Sequence, residues 1–346
     1  MSKIIEQKLN FLKSLSTEQK VNVSKEVLRN AYLKYDGVYV STGGADSLVI
    51  VELLKEIDQS LYDIIPRVCN GVAENPLNVK YNKRRGDIIL SSELNIKQVI
   101  QKYGYPLISK SVAMKISRYK NSKHDWAKER RLKGYMGDNG KWCYASMIPK
   151  KYQFLIYAPF EFTEKCCDIV KKKPLKQYEK ISKRIPITGE RVDESNDRLK
   201  AYLKNGCFHN GKREKVTPIA FWSDKDKLEF LYSRDIKLPK SYNKIVKNGD
   251  VLQFDGEQRT GCECCGFGIL YDKNRFERIK EKNINKYNAF MFGGAWVRKS
   301  TYRWVKFRPN GILIYSNLYW QPNEKGYGYK FCLDYIYKGL AINNKK

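Results

Sequence analysis

Ser41, Thr42, Asp46 and Ser47 flank a Gly43-Gly44 pair in the stretch VYVSTGGADSLVIVELL, residues 38–54. The turn lies between an apolar run with strand character and one with helical spacing. Glycines allow a tight turn and a close approach of backbone to ligand, and a helix start offers N–H groups with partial positive charge. With three hydroxyls added, the set suits phosphate. Asp46 would repel a bare phosphate, so a metal-nucleotide is implied, with Mg²⁺ between carboxylate and phosphates. An ordinary βα turn, capped by Asp46 or Ser47, fits the same residues.

A second chemistry-bearing set is sulfur. Of nine cysteines, two clusters stand apart, Cys166-Cys167 in EKCCDIVKKKPL and Cys262-Glu-Cys264-Cys265 in RTGCECCGFGI. Four thiolates in two pairs can hold Zn²⁺ or a [4Fe–4S] cluster, or stay reduced without metal. Adjacent cysteines start in different directions and make poor tetrahedral zinc chelates, and Cys264 competes with Cys265 as a ligand. Lys165, Lys171, Lys172 and Lys173 flank the first pair, where they would lower thiol pKa and offset a ligated cluster's charge. Cys69 falls at the end of an apolar strand and Cys332 in an apolar stretch. Cys143, Cys207, His124 and His209 have no metal-like spacing.

These residues need elements to position them. Helical spacing covers much of residues 3–34, strand patterns fit 37–40, 64–69 and 87–90, and helices fit 47–57 and 96–103. Alternation of strand and helix predicts a parallel sheet covered by helices on both faces. From about residue 110 the chain is helical and basic. A strand at 185–189, a helix from about 193 to 204 and a helix capped by Ser223 or Asp224 follow, with Trp222 as core packing. Beyond 236 the pattern reads as short strands and loops.

The net charge of +29 asks for an anionic partner, whether nucleotide, nucleic acid or membrane surface. No run approaches the length needed to cross a bilayer, and the charged amino-terminal stretch lacks a signal peptide's apolar core. A cytoplasmic, reducing location is expected, which disfavours disulfides.

Ser-Thr-Gly-Gly-Ala-Asp-Ser resembles the signature of the PP-loop ATP pyrophosphatases and the related phosphoadenosine phosphosulfate (PAPS) reductases, the adenine nucleotide alpha hydrolase-like superfamily. In order along the chain, CNGVAENP (69–76), YGYPLISK (103–110), ITGERVDESNDR (187–198), TPIAFWSDKDKLEFL (217–231) and KGYGYKFCLDYI are similar to further motifs of that group, in its phage and prophage branch. The resemblance implies a Rossmann-like parallel sheet with an iron–sulfur carboxyl-terminal extension. It divides the chain into a helical segment 1–34, a nucleotide-binding domain 35–235 and a cluster-binding extension 236–346.

It also implies roles. Ser41, Thr42, Gly43, Gly44, Asp46, Ser47, Lys110, Arg191, Glu194, Ser195 and Arg198 would bind ATP or PAPS, with Asp46 and Ser47 catalytic and Mg²⁺ on the phosphates. Cys166, Cys167, Cys262 and Cys265 would hold a [4Fe–4S] cluster, as in sulfonucleotide reductases. The Glu-Cys-Gly-aliphatic-His nucleophile setting of those reductases has no counterpart in this sequence. Sulfur transfer or substrate adenylation is therefore the expected chemistry, with DNA or tRNA as a candidate acceptor suited to the charge; the alternatives are a sulfonucleotide reductase proper and a basic nucleic-acid-binding protein with a degenerate nucleotide site.

Overall fold

The computed structural model describes residues 2–211, 213–270, 272, 274–298 and 318–343. It forms two discontinuous compact units, Met1–Ser92 with Lys171–Glu263, and Glu93–Val170 with Cys264–Lys346. These units cut across the segments 1–34, 35–235 and 236–346. One reason is that Leu9, Leu12, Val21 and Leu28 of the amino-terminal helices are buried in the same core as the strand Val38–Thr42.

The first unit is built on a six-stranded sheet. Its spatial order is Ile88–Leu90, Arg67–Asn70, Val38–Thr42, Ile185–Ile187, Lys215–Val216 and Phe208–His209. Every neighbouring pair is parallel except the last. The central strand pairs Ser41 with Val68 on one side and Val40 with Ile187 on the other. Its interior residues Val38, Tyr39 and Val40 are buried, as a strand covered on both faces requires.

Several boundaries differ from the sequence reading, each for a local reason. The helix after the glycine turn runs Ala45–Ile57, so the turn is shorter than the hydroxyl pattern suggests. Asp58 accepts the Ser60 N–H and caps a short helix, Gln59–Ile64, which moves the second strand to Arg67–Asn70. A 3-10 turn, Val192–Glu194, precedes the helix Asn196–Asn205 because Ser195 is its cap. Ser223 caps the helix Asp224–Ser233, in a box closed by Asp226.

The second unit is mainly helical, with Ile96–Tyr103, Lys110–Asn121, Asp125–Lys133, Arg275–Lys282, Ile284–Met291 and Tyr329–Asn343. The last three are additional to the short strands expected after residue 236, which include the first unit's hairpin Ile245–Asn248 with Val251–Phe254. Short ladders pair Leu107–Ile108 with Gly266–Phe267 and Ala295–Arg298 with Leu318–Gln321. Edge-on contacts of Tyr105 with Phe160 and Tyr329 form its aromatic centre.

Candidate functional site

In the first unit the chain leaves the central strand in one direction and returns on its other side at Ile185–Ile187. The sheet therefore has a switch point between these two strands, and the carboxyl ends of strands at such a point are where open α/β sheets take ligands. The Gly43-Gly44 turn ends one strand and Gly189 follows the other. A methyl group on Gly189 would lie 2.9 Å from Asp46 Cβ and 3.0 Å from the Ser47 nitrogen, so the two turns are packed backbone to helix start.

Gly44 is the N-cap of the Ala45–Ile57 helix and supplies no side chain to its first-turn N–H groups. The Ala45 N–H donates to Tyr242 Oη at 3.0 Å, and Tyr242 in turn shares a 2.8 Å hydrogen bond with Thr260. Asn78 Nδ2 donates to Thr260 Oγ1 at 3.0 Å and so ties the Pro76–Arg84 helix to this chain of contacts. Burial raises the Tyr242 pKa above its ordinary value, which keeps it a neutral hydroxyl. A side chain on Gly43 would meet the Glu74 carboxylate, itself paired with Lys171 at 3.0 Å.

Arg191 follows the Ile185–Ile187 strand and is buried at 2 % exposure. Its guanidinium binds Asp46 at 2.8 Å, Asp193 at 3.0 Å and Asp224 at 2.7 Å. Burial disfavours its charge, but the three carboxylates outweigh burial and hold its pKa above the ordinary value. Lys227 adds a second cation, 2.6 Å from Asp224 and 3.7 Å from Asp46. Asp46 is thus offset by two protein cations.

The remaining expected residues have definite places. Ser41 is a half-buried strand residue, while Thr42 is buried and donates to Asp87 at 2.7 Å. Ser47 Oγ donates to the Gly44 carbonyl at 2.8 Å and accepts the Gly43 N–H at 3.0 Å, stiffening the turn. Glu194 pairs with Arg198 and, at 2.7 Å, with Arg259, and Ser195 accepts the Arg198 N–H. Lys110 opens the Lys110–Asn121 helix of the second unit. Sequence reasoning missed Tyr242, Lys227 and Asp193. Tyr242 has no local signature, whereas Lys227 lies inside the stretch 217–231 already singled out.

Among the described residues no group of three or more His, Cys, Asp or Glu is arranged to hold a metal ion. The cysteines nevertheless suit an iron–sulfur cluster in kind. Cys166, Cys264 and Cys265 lie within electrostatic reach of the fully buried Tyr329, whose hydroxyl has no hydrogen-bond partner among the described residues. Burial raises the Cys265 thiol, with Arg275 and Lys110 pulling it down and Cys167 pushing it up. Soft sulfur donors are the residue type that a ligated cluster takes. Cys262 belongs to the first unit, where its Sγ donates to the Ala73 carbonyl at 3.1 Å.

A largely parallel sheet with a glycine turn at its switch point defines a Rossmann-like α/β protein. The phosphoadenosine phosphosulfate reductase domain model matches residues 96–266, beyond the 41–47 turn. The likeness to the PAPS-reductase-like superfamily read from the motifs is thereby upheld. No curated protein matches the chain. Among solved structures, the phosphate complex of phosphoadenylyl-sulfate (PAPS) reductase from Candida auris aligns at 12 % identity and a TM-score of 0.36, over 68 % of this chain and 88 % of that one. Among the described residues no helix is long and apolar enough to cross a membrane.

Proposed function

We propose that this chain is an enzyme that binds an adenine nucleotide, ATP or PAPS, with its phosphates against the Gly43–Ser47 turn, and uses it in sulfur transfer or substrate adenylation. The observation that carries the reading is the helix start at the sheet's switch point, where Gly44 offers no side-chain cap, Tyr242 holds the Ala45 N–H and the Arg191–Asp46 pair lies alongside. First-turn N–H groups and the helix dipole receive phosphate oxygens, and Lys227 adds a positive charge. Mg²⁺ would arrive with the nucleotide. Asp46 orients the phosphates by way of its cations, and Ser47 keeps the turn rigid.

Adenylation is favoured over reduction of PAPS because the sulfonucleotide reductases use a mobile, activated cysteine late in the chain, and Cys332 does not fit that role. Cys332, the last cysteine, is fully buried with its thiol pushed well up by burial. Cys166, Cys167, Cys262 and Cys265, with Cys264 as the alternative to Cys265, are proposed to hold the [4Fe–4S] cluster, which would supply electron or sulfur relay when bound. A cytoplasmic location fits such a cluster.

Purified anaerobically, the protein is expected to show cluster absorbance in the visible with matching iron and sulfide, and to release pyrophosphate from ATP. Asp46→Asn abolishes turnover while retaining iron. Cys167→Ser loses iron, and Cys264→Ser compared with Cys265→Ser identifies the fourth ligand. Sulfite release from PAPS with a thiol reductant would favour the reductase reading instead. Failure to bind either nucleotide would overturn both.

A further inference from the structure

Residues 115–151 of the second unit carry eleven Lys and Arg against three Asp and Glu. Two of the acids are taken by lysines of their own helix, Asp125 by Lys128 at 3.4 Å and Glu129 by Lys133 at 2.8 Å. Among the described residues, Lys115, Arg118, Arg130 and Arg131 have no carboxylate within ion-pair distance. They crowd one another instead. Burial first, then Arg118 and Arg130, lower the Arg131 pKa, and burial with Arg131 lowers that of Lys115. Arg130 lies over the Tyr135 ring, 3.3 Å from its centroid, and like charges gathered without carboxylate partners are relieved by an anion.

Aromatic rings stand beside these cations. The hairpin Tyr135–Met136 with Trp142–Cys143 is fastened to the end of the Asp125–Lys133 helix. Trp142 Nε1 donates to the Lys133 carbonyl at 3.0 Å, the Ile148 N–H to the Arg131 carbonyl at 2.7 Å, and Arg131 Nη1 to the Ser146 carbonyl at 3.0 Å. Trp142 and Tyr144 have ring centroids 6.3 Å apart and exposures of 45 % and 59 %. Trp126, 65 % exposed, is one helical turn before Arg130 and shares its face. Single exposed aromatics are ordinary, but three rings among cations that lack carboxylate partners form a patch.

We propose that this face binds single-stranded nucleic acid, with Lys115, Arg118 and Arg131 on phosphates and Trp126, Trp142 and Tyr144 stacking on unpaired bases. A duplex hides the base faces that such rings need. The bond from Trp142 to a backbone carbonyl fixes its ring as a platform, whereas insertion into lipid calls for freely projecting apolar side chains. The surface is independent of the nucleotide turn, so either reading can fail without the other.

The test is fluorescence anisotropy of the full-length protein with a labelled single strand of about 16 nucleotides, the matching duplex, and phosphatidylserine vesicles. The single strand is expected to bind tighter than the duplex, and affinity falls with salt at a slope of about −0.7 per phosphate contact. Lys115→Gln/Arg118→Gln flattens that slope. Trp126→Ala and Trp142→Ala each weaken binding at least about fivefold at unchanged slope. Two substitutions on separate elements guard against a local folding defect. A duplex bound as tightly as the single strand, equal affinity after both Trp changes, or vesicle binding lost in the same variants would overturn the proposal.

Discussion

Arg191 Nε donates to the Asp46 carboxylate at 2.8 Å, although the two residues are 145 positions apart in the chain. The pair joins the turns at the ends of two adjacent strands, and the same guanidinium reaches Asp193 and Asp224. An arginine so occupied positions Asp46 more than it contacts phosphate. Arg191→Met would leave three carboxylates around Lys227 alone. Breaking a buried pair costs about 3–5 kcal/mol, but Asp224 is 69 % exposed on its side chain and water repays part of the loss. The expected destabilisation is about 2 kcal/mol by urea denaturation, and Arg191→Lys falls between. Unchanged stability in the Met variant would refute the positioning role.

Lys20 and Asp226 form a buried pair at 2.8 Å that fixes the Thr17–Lys34 helix to the Asp224–Ser233 helix. Burial alone would raise the Asp226 pKa, but bonds from Lys20 and Ser223 outweigh it and the value is depressed. A depressed carboxylate stabilises the fold above its unfolded pKa, near 3.9, and that contribution disappears as pH falls through the folded value. Asp193 runs the other way, since burial raises it and its contribution is lost as pH rises. The difference between wild type and Asp226→Asn isolates the first term. The variant is expected to be less stable at neutral pH by about 1–3 kcal/mol and to converge on wild type below about pH 4. A gap that stays constant with pH would show that the carboxylate's charge is not what matters.

A methyl group at Gly44 would collide with Tyr242 Oη and lie 3.0 Å from Thr260 Oγ1. Gly44 has φ −112°, so the obstacle is space and not backbone conformation. Gly44→Ala is expected to weaken nucleotide binding by more than about tenfold, because the turn must move from its support. Tyr242→Phe removes the obstructing oxygen at the loss of one hydrogen bond, about 1 kcal/mol. The double variant should therefore bind better than Gly44→Ala alone. Simple addition of the two defects in a calorimetric cycle would contradict the contact.

The turn was legible because local signals converge there: a strand, two glycines and a helical stripe within a few residues. Ser223 as a cap and Trp222 as core were legible for the same reason, and Trp222 Nε1 indeed donates to Ser24 at 3.0 Å inside the core. Thr42 was not, since strand alternation turns its hydroxyl to Asp87, a partner on a distant strand's approach. Arg191 matched a motif, yet its occupation by Asp46, Asp193 and Asp224 depends on three segments meeting. Tyr242 is one tyrosine among 25 and gains its role only from the fold. The helices Arg275–Lys282 and Ile284–Met291 were hidden by a composition rich in glycine and aromatics around them.

Cys143 differs from the other described cysteines whose titration is displaced. A hydrogen bond from the Tyr135 hydroxyl, then the Ala145 N–H and the Arg130 charge, lower its thiol pKa. Burial pushes Cys69 and Cys207 up to about 11, and Cys332 further up. Thiolate is the reactive form, so iodoacetamide at neutral pH should modify Cys143 ahead of these three, read by peptide mass spectrometry. Tyr135→Phe removes the largest influence and should slow labelling and shift its pH dependence upward, while Arg130→Gln does so less. Labelling of Cys143 no faster than Cys69 would remove the basis for this ordering. Because Cys143 lies between Trp142 and Tyr144, a bound single strand should also shield it, and shielding lost in Lys115→Gln/Arg118→Gln would tie protection to that basic face.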